Sequence, residues 1–340
     1  MLGAVGMAPL NYSAPLPLQV ATPPSPPDVK KEATRAAYGR ALESLGHSRE
    51  DIVVLDADLS GSTKTAAFGK SFPDRFFNMG VAECNMMGFA AGLALSGKTV
   101  FASSFAMFAA GKAWEQIRQS ICVPNLNVKI VASHAGITVG EDGASHQMLE
   151  DIALMRVLPH MKVVVPADSR QTEAAVEALA TTPGPCYMRT SRAATPIMED
   201  APEFTFGKAF THRQGKDLAF VACGVEVYQS LLAAEELAKE GIECTVIDCA
   251  TVNPLDSETI CEAAKSCGRL MTVEEHQVTG GLGEAVAATL LENNTLVPMQ
   301  RHGMKGEFGQ TGPAASLLSH YHLDGPGIAE QARLFLGATQ

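Results

Sequence analysis

Residues 78–108 read NMGVAECNMMGFAAGLALSGKTVFASSFAMF. Arg75–Gly80 predicts a short strand. Glu83–Ser96 is rich in small apolar residues and predicts a helix stopped by Gly97, and Thr99–Phe105 predicts a second strand. A strand, a crossover helix and another apolar strand describe neighbours in a parallel sheet, and a strand without polar alternation is covered on both faces.

The same alternation extends in both directions. Upstream, Asp51–Leu59 (DIVVLDADL) reads as a buried strand. Downstream come a helix at Ala109–Cys122, a strand at Asn127–His134, a helix at Gln147–Leu158, a strand at Lys162–Pro166, a helix at Ser169–Thr182 and a strand at Cys186–Thr190. Residues 195–208 (TPIMEDAPEFTFGK) interrupt the pattern with prolines and acids and read as a linker. Strands are then expected at Leu218–Cys223, Cys244–Cys249 and Leu270–Val273, with helices at Val225–Lys239, Ser257–Ser266, Gly283–Leu291 and near 328–336; residues 303–312 read as a Gly-rich loop. The expectation is α/β with two doubly wound domains and mostly parallel sheets, over residues 29–195 and 209–340, joined by a linker at 196–208. Residues 1–28 hold seven prolines and predict an extended arm.

Composition limits the function classes. With 340 residues, 46% hydrophobic and 19% charged, the chain can bury two cores. A net charge of −11 argues against binding a nucleic-acid backbone, and no apolar run approaches the roughly 20 residues of a membrane span. The first 27 residues lack the Lys or Arg that a secretory or organellar peptide would require, so a cytoplasmic location is expected. The eight cysteines form no CxxC pair and read as buried, reduced thiols.

Ligands of open α/β sheets gather beyond the carboxyl ends of the strands, so polar residues there are the candidates. Glu83 stands at such a junction among Met79, Val81, Met86, Met87 and Phe89. Apolar company would raise its pKa, while a first-turn glutamate favouring the helix dipole is the plainer alternative. Phe105 and Phe108, three apart, share one helix face, as core residues also do. The segment SHAGITVGEDGASHQ (133–147) concentrates His134, Glu141, Asp142 and His146 in a glycine-rich loop. Its histidines are twelve apart, which is not a zinc spacing, and no metal ligand is assigned.

The runs DADLSGST (56–63), NMGVAECNMMGFAAGLALSGKTVFASSFAMF and SHAGITVGEDGASHQMLEDIALMRVLP (133–159) together resemble the pyrimidine-binding domain of transketolases. VEEHQVTGGLGEAV (273–286) resembles the opening of the transketolase C-terminal domain. The likeness spans roughly residues 30–335. The Gly-Asp-Gly…Asn signature of the family's diphosphate and Mg²⁺ domain is absent, so the chain resembles the smaller subunit of a split transketolase.

The resemblance implies thiamine diphosphate as cofactor. It matches Glu83 to the glutamate that shares a proton with N1′ of the aminopyrimidine, so that the 4′-imino group can deprotonate thiazolium C2. It matches Phe105 and Phe108 to aromatics on the pyrimidine, and Asp58 and Leu59 to cofactor contacts near the subunit boundary. Asp142 and His146 match groups that bond the sugar hydroxyls near the reacting carbons, and the resemblance makes His146 a catalytic residue beside Glu83. Arg35, Ser62, His134 and Arg192 match the set around the substrate phosphate. The family's pocket tyrosine is replaced by Gly111. The implied partner is an N-terminal subunit carrying the diphosphate and Mg²⁺ site, in a heterotetramer of two plus two, active in ketol transfer between sugar phosphates only when assembled. The beta subunit of a 2-oxo-acid dehydrogenase, a deoxyxylulose-phosphate-synthase-like enzyme and a non-catalytic regulatory paralogue remain alternatives. GEDGASHQ and the phosphate set favour sugar transfer.

Overall fold

The computed structural model describes residues 29–198 and 204–338; the proline-rich arm and residues 199–203 of the linker lie outside the described residues. The strands in chain order are β1 (Lys31–Ala33), β2 (Ile52–Asp56), β3 (Phe76–Asn78), β4 (Thr99–Phe105), β5 (Val128–Ser133), β6 (Lys162–Val164), β7 (Cys186–Thr190), β8 (Ala194–Pro196), β9 (Phe210–Arg213), β10 (Leu218–Ala222), β11 (Cys244–Asp248), β12 (Thr251–Asn253), β13 (Leu270–Gln277) and β14 (Met299–Met304). Among the described residues they form two large sheets, ordered β12-β6-β7-β5-β4-β2-β3 and β14-β13-β10-β11-β9, and one small antiparallel pair, β1-β8. Within the large sheets every pairing is parallel except those of the edge strands β12 and β9. The sequence expectation of two mostly parallel α/β layers therefore holds.

The central strands are wholly buried and mainly apolar: β2 is IVVLD, β4 TVFASSF and β5 VKIVAS. The helix at Ser169–Thr181 starts where the Asp168 side chain accepts the Gln171 N–H at 2.8 Å. The helix at Ser257–Cys267 starts in the same way at Asp256 and stops at Gly268, whose φ of +69° admits the left-handed end.

Strand β14, which enters the expected loop 303–312, and the helix Ala314–His320 are not among the expected elements, and three expected segments run differently. The helix over 109–122 runs instead from Met107 to Cys122, with wide turns at Met107–Lys112 and Ile117–Cys122. There the N–H of Ala113 reaches the C=O of Phe108, five residues back, which inserts an extra residue into the turn. The helix expected from Gln147 begins at Asp151, because Met148 accepts the Gly136 N–H at 2.9 Å and Gln147 turns inward to the C=O of Gln310. The strand expected to end at Val273 continues through Glu274, Glu275 and His276, all buried.

The two sheets are not insulated from each other. β12 follows β11 in the second layer yet pairs with β6 of the first, and Val165 donates to the C=O of Ala250 at 2.7 Å. A buried polar layer lies between them. Arg189 sits 3.3 Å from Asp151 and donates to the C=O of Glu275 at 2.9 Å. Tyr187 donates to the Asp151 carboxylate at 2.8 Å. All eight cysteines carry free thiols, and seven are buried. Among the described residues no helix is long and apolar enough to cross a membrane.

Candidate active site

The carboxyl ends of β3, β2, β4, β5 and β7, consecutive in the sheet, deliver the candidate residues to one end of it, except Arg35, which stands in the first turn of the first helix, Thr34–Ser48. Beyond β2, the buried Asp56 accepts the Leu59 N–H at 2.6 Å and the Thr63 and Thr65 hydroxyls at 2.6 and 2.9 Å. This cage shapes the turn that carries Asp58 and Leu59. Burial pushes the Asp56 carboxyl up, and the three donors oppose that shift. Asp58 takes a left-handed φ of +65° and accepts the Asn78 amide at 2.9 Å, which ties the β2 turn to the end of β3.

Glu83 is the first residue of the helix Glu83–Leu95, with a side chain only 3% exposed. Its company differs from the sequence expectation. Met86 and Met87 are fully buried nearby on the helix, but Phe89 and Val81 face outward, 42% and 74% exposed. The Lys112 ammonium reaches the Glu83 carboxylate at 2.7 Å. That pairing holds the lysine's pKa above its ordinary value. Lys112 follows Gly111 in the wide turn of Met107–Lys112, the segment that also contains Phe108. An ordinary helical reading hides this contact; the visible signal is a lone lysine in an otherwise apolar run.

Phe105 ends β4 and Phe108 lies in the helical turn after it, so the two do not share a helix face as expected; their rings lie nearly parallel, 6.2 Å apart with 16° between planes. His134 stacks on Phe105 at 3.8 Å, and His146 meets Phe108 edge-on at 5.5 Å. Four residues from three separated stretches therefore form one aromatic cluster. Ser133 contacts Nδ1 of His134 at 2.9 Å. With the hydroxyl as donor, the imidazole proton stays on Nε2. Burial, then Arg35, Arg192, His146 and Lys64, push the His134 pKa down to about 3. His134 is therefore a neutral hydrogen-bond donor near neutral pH.

Arg35 and Arg192 come together because Thr34 and Ser191 bond across the start of the first helix and the end of β7, Ser191 N–H to Thr34 Oγ1 at 2.7 Å. Their mutual repulsion, after burial, lowers the Arg35 pKa. Arg35 Nη1 donates to the C=O of Ser62 at 2.9 Å, while its buried Nε has no partner. Arg192 donates to Glu141 at 2.7 Å and to the C=O of Val139. Asp142 is exposed at the end of the turn Ile137–Asp142, apart from the ring contacts that gather His134 and His146. Among the described residues no group of three or more His, Cys, Asp or Glu side chains is placed to hold a metal ion.

A cofactor bearing an aminopyrimidine fits these residues in kind. A nearly parallel ring pair offers aromatic faces, and a buried carboxylate stands at a helix start joined through Lys112 to the turn after Phe108. The unpartnered Arg35 Nε beside a second guanidinium and a neutral imidazole is the donor set an anion would satisfy.

Residues 30–198 match the family described as transketolase, pyrimidine binding domain, and residues 207–328 match transketolase, C-terminal domain. A putative transketolase C-terminal section from Methanocaldococcus jannaschii is 50% identical over 300 residues, covering 87% of this chain and 94% of that one. One of the subunits of an apulose-4-phosphate transketolase, from Phocaeicola vulgatus, is 39% identical, covering 89% of this chain and 97% of that one. Human transketolase is 39% identical over 91% of this chain, which spans half of that protein. A solved structure described as a split gene transketolase, inactive beta4 tetramer, superposes with a TM-score of 0.83 at 48% identity, covering 91% of this chain and 99% of that one. With both domains matched along most of its length, the chain belongs to the transketolase family, comprising its pyrimidine-binding and C-terminal domains.

Proposed function

We propose that the chain is the catalytic C-terminal subunit of a split, thiamine-diphosphate-dependent transketolase that moves two-carbon ketol units from a ketose phosphate to an aldose phosphate. The observation that carries this reading is the joint placement, at one sheet edge, of buried Glu83, the Phe105–Phe108 pair and the Arg35–His134–Arg192 cluster. Thiamine diphosphate, when bound, supplies the carbon nucleophile and the electron sink for breaking a C–C bond. Every other role falls to residues of the two chains.

In this reading Glu83 holds a proton against N1′ of the pyrimidine, and Phe105 and Phe108 hold the ring by its faces. Lys112 keeps the carboxylate paired until the ring arrives and must yield part of that contact. Asp58 and Leu59 contact the cofactor from the caged turn after β2. His146 and Asp142 bind the sugar hydroxyls, His146 from its edge-on seat against Phe108. Arg35, Arg192, Ser62 and neutral His134 receive the substrate phosphate, and the Arg35 Nε gains the partner it lacks. Glycine at position 111 leaves room where the family places a tyrosine ring: a Cβ there would meet nothing nearer than Met107 Sδ at 3.5 Å.

The diphosphate and its Mg²⁺ are assigned to a separate N-terminal subunit. The length comparison supports that division, since human transketolase is about twice as long as the matched region. A surface for the partner is present. The helix Glu83–Leu95 exposes Gly88, Phe89, Gly92 and Leu95, and nothing lies within 4 Å of a Cβ at either glycine. An open apolar helix face beside an active-site carboxylate suits a protein interface. Two copies of each subunit, related by a twofold axis, form the proposed assembly.

The substrate class is tested by Arg192→Ala in the assembled enzyme. Losing one charge-assisted contact should lower kcat/KM for phosphorylated donors about ten- to a hundredfold. The loss should fall mainly on KM, because the phosphate is remote from the reacting bond. Hydroxypyruvate, which carries no phosphate, should react almost as before. An unchanged ratio of kcat/KM between phosphorylated and unphosphorylated donors would mean that Arg192 does not read phosphate.

A further inference from the structure

The loop from His134 to His146 holds one short 3₁₀ helix, Ile137–Asp142, kinked at Gly140, and begins at His134, a non-glycine residue held in the left-handed region. His134, Gly136, Gly140 and Gly143 all take positive φ, between +58° and +83°. Such a segment holds its shape only where its surroundings impose it. The surroundings belong largely to the second domain. Gln147 beside the loop donates to the C=O of Gln310 at 2.9 Å, and Gln277 donates to the C=O of Leu149 at 2.8 Å. The most direct contact is made by Glu275 of β13. Its Oε2 accepts both the N–H and the hydroxyl of Thr138, at 3.1 and 2.8 Å. Its carboxyl also rests on Gly136, where a Cβ would come within 2.1 Å of the carboxyl carbon. That contact explains why glycine occupies a position two residues from His134.

The neighbours of Glu275 on β13 have other tasks. Glu274 accepts the N–H groups of Leu282 and Gly283 at 2.7 and 2.8 Å and so caps the helix Leu282–Glu292. His276 faces the N–H of Ala153. Glu275 alone among them reaches the substrate loop. Burial of its charge is opposed by Arg189, whose guanidinium donates to the Glu275 C=O at 2.9 Å. A carboxylate set in the second domain therefore fixes the backbone between His134, at the phosphate end, and His146, at the sugar end.

We propose that Glu275 is a positioning residue for substrate binding: through Thr138 and Gly136 it sets the spacing between His134 and His146, and the second domain thereby takes part in sugar recognition. This rests on the proposed transketolase reading. Glu83 and Lys112 stand on other elements, so cofactor activation should be independent of this contact.

The test uses the assembled two-subunit enzyme carrying Glu275→Ala, Glu275→Gln or Thr138→Val, with two readouts. One is KM for a phosphorylated ketose donor; the other is the exchange rate of the cofactor C2–H. Glu275→Ala should raise KM about tenfold or more, the scale of a lost charge-assisted hydrogen bond. Its C2–H exchange should stay within about twofold of wild type, because an interaction with substrate alone leaves that step intact. Glu275→Gln, whose amide oxygen can accept both Thr138 bonds, should recover most of the affinity. Thr138→Val removes one of the two bonds and leaves Glu275 and the Arg189–Asp151 pair in place, so it carries the test if the alanine variant fails to fold; it should raise KM by a smaller factor. An unchanged KM in both Thr138→Val and the folded Glu275 variants would overturn the proposal. A parallel fall of exchange and affinity would also overturn it, since it would mark a general structural role. A wild-type complex that exchanges C2–H but transfers no ketol unit would instead count against the proposed reaction itself.

Discussion

Glu83→Gln should leave the protein folded and assembled but reduce turnover by about 10²–10⁴-fold, the usual contribution of a positioned acid–base group. The amide nearly matches the carboxylate in shape and fills the same buried space at the start of the helix. It cannot exchange a proton with N1′, so activation of the cofactor is the step that fails. The substitution also ends the ion pair with Lys112, which is itself 53% exposed and can turn to solvent. Little stability should therefore be lost. C2–H exchange of thiamine diphosphate in the assembled enzyme isolates this step from sugar binding. An exchange rate equal to wild type would remove Glu83 from the activating role.

Arg189→Met should destabilise the chain by about 3–5 kcal/mol, the typical cost of removing one partner from a buried ion pair. The Arg189 side chain is 3% exposed and that of Asp151 is fully buried, 3.3 Å away. Methionine fills comparable volume but leaves the Asp151 charge uncompensated between the two layers. It also removes the donor to the C=O of Glu275. Glu226 lies near the same arginine, fully buried with neither carboxyl oxygen bonded, and burial pushes its carboxyl well above the usual range. Burial thus disfavours a charge on Glu226, and the leading counter-charge to the cation is Asp151, followed by Glu275. Adding Asp151→Asn to Arg189→Met should recover part of the loss, since the amide oxygen can still accept the Tyr187 hydroxyl. Urea midpoints at unchanged m report these differences. A loss under about 1 kcal/mol for Arg189→Met would show that the buried layer does not depend on its cation.

What the sequence disclosed followed from burial pattern. β2, β4, β5 and β10 are buried along their whole length and mainly apolar because both faces are covered, and such runs are readable without any partner. The strands β1, β8, β9 and β12 are three or four residues long and exist because of what they pair with. β12 in particular is recruited by β6 from across the layer boundary, which no local signal announces. The VEEH run reads as the end of a strand because three ionisable residues are not expected in a buried core. They are buried because Arg189, Thr138 and the helix start at Leu282 meet them in three dimensions.

The site shows the same division. Glu83, the phenylalanines and the 133–147 loop stand out by their position at strand ends, and the family resemblance adds Arg35, Ser62 and Arg192. Lys112 escapes a reading of the sequence because its approach to Glu83 depends on the extra residue in the wide turn after Phe108, which shifts every side chain beyond it relative to an ordinary helix. The clustering of His134 with Arg35 and Arg192 depends on the Thr34–Ser191 bond between residues 157 positions apart.

The central claim is that this chain carries half of a catalytic site. The most direct measurement is ketol transfer from a ketose phosphate to an aldose phosphate by the rigorously pure chain. It is assayed with thiamine diphosphate and Mg²⁺ at several dilutions, alone and mixed with a purified transketolase N-terminal subunit, with light scattering to record the assembly. The chain alone should show no turnover, and turnover should appear with, and saturate at, a complex of two copies of each subunit. Substantial transfer by the chain alone, or full activity in a stable one-to-one complex, would contradict it.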